Sequence, residues 1–254
     1  MTKDSFESQE KDAYPDLTSA SVLAALRAVS PAPDSKRVAD LQRFFKTESG
    51  GYGQGDQFLG CTVPQTRVVA KRFRHLPLEQ VYELLESPWH EARLTALHIL
   101  VDQFNRAKTK VLRNELFDFY IDALLRGRIN NWDLIDTSAP TLGKAMVEHP
   151  RKTLIIGLSK SPVLWERRAA MLFTFAHIRA GEYGVPQHIA MNLLRDEHDL
   201  IHKAVGWMLR EIGNRDLEVL RGFLQKYHKV MPRTMLRYAI EKLSAEERQR
   251  WRAR

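Results

Sequence analysis

From about residue 35 almost to the C-terminus, apolar residues recur three and four positions apart, and no stretch alternates in the two-residue rhythm of a strand. That spacing fills one face of a helix, so the chain is confined to the all-α class. Over 35–46 it places Val38, Leu41, Phe44 and Phe45 together, with Asp34 as the expected cap. Further helices are expected from Pro64 to about Arg74, then over 78–86, 90–104, 109–125, 131–147, 162–180, 186–195, 199–212, 216–227 and 233–252, the last broken at Ser244. Five of the 13 glycines crowd into 50–60, and that stretch is expected to be a loop.

A repeat runs beneath the helices. The segments EARLTAL (91–97), ERRAAML (166–172) and IHKAVGW (201–207) share a phase, with a basic residue third and a large apolar residue seventh. With the segment starting near Asn131 between the first two, the step is 35 to 40 residues, close to the ~40–47 of HEAT and armadillo units. Such units stack helix pairs into a curved solenoid whose inner helices line a concave face. An antiparallel bundle produces comparable spacings, so the repeat favours the solenoid without imposing it. The domain reading is a tail over residues 1–16, then a single repeat domain over 17–254.

Charge narrows the partner. Lys and Arg number 39 against 31 acids, giving +8. Residues 1–16 hold two lysines and five acids, so the remainder carries +11. A pI of about 9.6 fits a nucleic-acid footprint, although a basic excess also serves solubility. The single cysteine, Cys61, excludes an internal disulfide and a cysteine-built metal centre, and its sequence neighbours offer no base to activate it. No apolar run approaches a membrane span or a signal-peptide core, so the chain reads as cytoplasmic, and without a coiled-coil seam as a monomer. No phosphate-binding glycine motif, H-E-x-x-H or nucleophile elbow is present. His198 and His202 are the one histidine pair four apart, and no third ligand accompanies them, so no metal is expected.

One segment stands out: INNWDLIDTSAP (129–140). Asn130 or Asn131 caps it, and Asp133 in the first turn suits the helix dipole. Asp136 has no such explanation. It lies four residues after Trp132 and shares its face. A carboxylate beside an indole on an inward-facing helix is salt-bridged, hydrated or used.

The runs NNWDLIDTSAP, SPVLWERRAAMLF (161–173) and IHKAVGWMLREIG (201–213) resemble the three signatures of the AlkD-like family of alkylpurine DNA glycosylases. The stretches 44–67 and 231–243 resemble a branch of the same DNA alkylation repair family, so the likeness covers about Lys36 to Leu243. The resemblance implies a HEAT-like solenoid whose concave basic face grips duplex DNA. It also implies release of N3- and N7-alkylated purines without a metal or cofactor. By motif, Asp136 corresponds to the catalytic aspartate, Trp132 and Trp207 to aromatic walls, and Arg168 to a cleft arginine. Phe44 aligns with a family tyrosine and lacks its hydroxyl. The lesion would be recognised without being flipped into a deep pocket, and selected by the lability of its own cationic base. Phosphate contacts are expected at Lys203 and Arg210, then Arg93, with help from the basic stretch 231–254. A non-catalytic module for damaged or branched DNA, and a protein-binding scaffold, are the competing readings. The joint presence of Trp132, Asp136 and Trp207 speaks against the first, and the basic balance against the second.

Overall fold

In the computed structural model, which describes residues 16–253, every extended element of secondary structure is a helix; the one β-bridge, Gln57 to Trp89, is isolated. The helices fall into two compact units divided between Arg106 and Ala107. Apart from Asp16, the tail expected over 1–16 lies outside the described residues.

The first unit contains α1 (Ser19–Val29), α2 (Lys36–Phe44), α3 (Val63–Arg72), α4 (Leu78–Leu85) and α5 (His90–Arg106). Local chemistry sets most of the starts. Thr18 and Ser35 accept backbone N–H groups at the heads of α1 and α2, so the cap of α2 is Ser35 and not Asp34. Thr62 and Gln65 make a reciprocal capping box at α3. Val22, Leu26, Val69, Phe73, Leu84, Leu97 and Leu100 are buried, and these apolar faces hold the unit together.

The glycine-rich segment is a loop, fastened from below. The buried Glu91 carboxylate accepts the backbone N–H groups of Leu59, Gly60 and Cys61 at 2.9, 2.7 and 3.1 Å. Three donors that would otherwise be orphaned are satisfied by one charge. Gly60 has φ +89°, and a Cβ there would meet Pro31 at 2.7 Å, so glycine is required. Burial pushes the Cys61 thiol up to about 11, and the thiol is unreactive at neutral pH.

The second unit contains α6 (Lys110–Leu125), α7 (Trp132–Leu142), α8 (Lys144–Glu148), α9 (Lys152–Ser159), α10 (Leu164–Arg179), α11 (Gly184–Asn192), α12 (Asp199–Gly213), α13 (Leu217–Tyr227), α14 (Arg233–Ala239) and α15 (Ala245–Arg252). α10 packs on α7 on one side and on α12 on the other, and α12 packs on α14. The helix expected over 131–147 is interrupted at Gly143, where a Cβ would sit 2.4 Å from the Phe173 carbonyl oxygen. Pro140 just before it cannot donate to the helical ladder. Ser244 is the cap of α15, as the expected break required.

Replacing Glu91 by alanine strands three buried N–H groups. We expect Glu91→Ala to lower unfolding stability by about 3–5 kcal/mol in denaturant titration, and Glu91→Gln by less. An unchanged midpoint would show that the loop is held by other contacts.

Candidate active site

Asn131 starts α7 by accepting the Trp132 backbone N–H on its side-chain oxygen, as one of the two expected caps. One turn later Asp136 meets Arg168 of α10. Arg168 Nε donates to Oδ1 at 2.8 Å and Nη2 to Oδ2 at 2.7 Å, a two-pronged pairing that fixes the carboxylate plane. The third prong of the guanidinium, Nη1, donates to the Leu200 carbonyl on α12. Three helices are therefore tied at one arginine.

The exposures of the two partners differ. The Arg168 side chain is 5% exposed and that of Asp136 is 22% exposed, so the cation is sealed and the anion keeps an open edge. Burial pushes the Asp136 carboxyl above its ordinary value, and Arg168 works against that shift without cancelling it. The nearby Asp133 charge adds to the rise. An anion held near a partly open surface by a buried cation is suited to stabilise positive charge developing on a ligand.

The aromatic residues occupy neighbouring positions. Trp132 is half-buried one turn before Asp136 on α7, and Trp207 is half-buried on α12. The Trp207 indole N–H donates to Glu211 Oε1 at 3.2 Å. Phe175, seven residues after Arg168 on α10, has its ring 6.5 Å from that of Trp207. The guanidinium groups of Arg179 and Arg215 each lie 5.9 Å from the Phe175 ring centre. Phe175 and Glu211 escaped the sequence reading. Their helical offsets, seven from Arg168 and four from Trp207, were the available signal.

The remaining expected residues scatter. Lys203 pairs with Asp199 at 2.8 Å and Arg210 with Glu241, both on partly exposed surface of the second unit. Phe44 belongs to the first unit and is 61% exposed; its carbonyl accepts the Tyr52 hydroxyl at 3.2 Å. Arg93 is buried, and its guanidinium is engaged by Asp56 and by the Ser87 carbonyl, so it is not placed to meet a phosphate. Its place in the repeat is that of Arg168, and both arginines hold an internal acid. His198 caps α12, accepting the Leu200 N–H on Nδ1 at 3.1 Å. Among the described residues no group of three or more His, Cys, Asp or Glu side chains could hold a metal ion. No described helix is long and apolar enough to cross a membrane.

The sequence model of a family described as DNA alkylation repair enzyme matches residues 22–243. Among solved structures, one titled a predicted DNA alkylation repair enzyme from Enterococcus faecalis is similar to this chain at 16% identity, with a TM-score of 0.67. The match covers 85% of this chain and 99% of that one, and at this identity it speaks to the fold. No curated protein matches the sequence.

Removal of Arg168 leaves Asp136 partly buried without its cation. We expect Arg168→Ala to raise the Asp136 pKa further, read by titrating its carboxyl carbon by NMR, and to cost about 2–3 kcal/mol of stability. Arg168→Lys keeps the charge but not the fork, and should fall between wild type and alanine. An Asp136 titration unmoved by alanine would show that the pair does not control its ionisation.

Proposed function

The chain belongs to the DNA alkylation repair enzyme family, and from that premise we propose that it is a DNA glycosylase releasing N3- and N7-alkylated purines from duplex DNA. The observation that carries the proposal is the Asp136–Arg168 pair, with the carboxylate 22% exposed and its partner sealed. A merely structural pair would have no need to leave the acid open. Trp132 beside it on α7 and Trp207 on α12 give the pair aromatic neighbours, as the resemblance requires.

The chemistry asks for one anion. Alkylation at N3 or N7 makes the purine cationic, so the base is already a good leaving group and needs no general acid. As the bond from C1′ to the base breaks, its electron pair neutralises the purine, and positive charge passes to the deoxyribose. Asp136 stabilises that charge. Opposite unit charges about 4 Å apart are worth about 4 kcal/mol at an effective dielectric near 20, roughly a thousandfold in rate. Water then adds at C1′ and loses a proton to solvent, leaving an abasic site. The indole faces of Trp132 and Trp207 favour the same developing cation. Lys203 and Arg210 would contact backbone phosphates by exchanging their internal acid partners for DNA. Arg93 leaves this set because its guanidinium is buried and engaged.

The test is release of 7-methylguanine and 3-methyladenine from methylated duplex DNA, measured by chromatography. Wild type should release both, and Asp136→Asn should be slower by roughly a thousandfold with duplex affinity retained. Equal release by the two proteins would remove Asp136 from the role. Tight, salt-sensitive binding without release by either would favour a non-catalytic DNA-binding module.

The pH profile supplies a second check. Catalysis needs the ionised carboxylate, so the rate must fall as pH drops through the Asp136 pKa. Because that pKa is raised, the acid limb should lie above the ordinary aspartate value of about 3.9, after subtraction of spontaneous depurination. A rate that stays level down to that value would contradict the assignment.

A further inference from the structure

The groove between α3 and α5 of the first unit has no place in the chemistry above. It encloses about 390 Å³, with Arg67, Lys71 and Arg74 on one wall and His98, Asp102 and Arg106 on the other. Arg67, Lys71 and Arg74 follow one another at intervals of four and three, so they form a stripe on one helix face. Like charges at that spacing repel and weaken the helix that carries them. Arg67 and Lys71 are exposed, and among the described residues none of the three cations has an ion-pair partner. The groove's one acid, Asp102, is taken by Arg106 at 2.7 Å.

The contrast with other arginines is sharp. Arg93, Arg113, Arg151, Arg167, Arg168 and Arg210 each meet an acid within the chain. The helix dipole explains part of the stripe, since Lys71 and Arg74 lie at the C-terminal end of α3 and Arg74 Nε donates to the Lys71 carbonyl. It does not explain Arg67, which lies mid-helix. Seven residues of helix span about 10 Å, close to three steps of the roughly 3.4 Å that separates charges along one DNA strand.

We propose that this groove is a phosphodiester track for one strand of duplex DNA, serving affinity and not bond breaking. The inference rests on the reading of the chain as a DNA repair enzyme. It makes binding separable from excision, because the acid assigned to excision belongs to the other unit.

The test is the salt dependence of binding to undamaged duplex DNA, by fluorescence anisotropy, using the full chain. The double variant Arg67→Gln/Lys71→Gln should lower the slope of log affinity against log salt by about two and weaken binding roughly tenfold or more. Arg27→Gln/Arg72→Gln removes the same charge from the first unit outside the groove and should leave the slope close to wild type. Single-turnover base release at saturating protein should be unchanged in both double variants. Equal slopes in the two double variants would overturn the track while leaving the glycosylase reading intact. A groove-dependent slope without base release by wild type would support the track and sink the glycosylase reading. A wild type that binds no duplex would overturn both.

Discussion

A buried guanidinium that shares its two outer edges with Asp136 and its remaining nitrogen with the Leu200 carbonyl is the constraint from which the second unit is organised. Burying an arginine is costly unless every donor direction is met. Here the donors are met by side chain and backbone from two neighbouring helices, and α7, α10 and α12 are thereby set in register. The same contact decides the electrostatics of the candidate site. Without Arg168, desolvation would push Asp136 toward its neutral form; with it, a carboxylate stays poised at a partly open surface.

The first unit uses the same device for another purpose. Arg93 holds the third position of its repeat as Arg168 does, and it also binds an internal acid, Asp56. That acid comes from the glycine-rich loop and is only 4% exposed, so the pair is closed where the Asp136 pair is open. Glu91 completes the fastening by taking three loop N–H groups. One helical phase therefore serves anchorage in one unit and a candidate reactive edge in the other, and the difference lies in the exposure of the acid.

Local pairing also changes how the net charge of +8 should be read. Much of the positive charge is spent within the chain: Arg113 on Glu148, Arg151 on Asp118, Arg167 on Asp196 and Arg221 on Glu247. Counting lysines and arginines therefore says little about where an anion would bind. The informative cations are those the fold leaves without acids.

The all-helical architecture was legible in the sequence because side-chain spacing along a helix is a local property. The caps at Asn131 and Ser244 were legible for the same reason. Two helices, Ser19–Val29 and Lys152–Ser159, were not singled out. The second, KTLIIGLS, has a nearly continuous apolar run and so gives no clear polar face for periodicity to detect. Asp136 and Trp132 could be placed on one face from their four-residue separation alone. Arg93 and Arg168 could not be told apart, since each is the basic residue of the same motif. Which acid each would meet, and whether that acid would be sealed or left open, depends on residues 37 and 32 positions away in the chain, Asp56 and Asp136. Periodicity fixes which side of a helix faces inward; only the packing of one helix on the next fixes what it finds there.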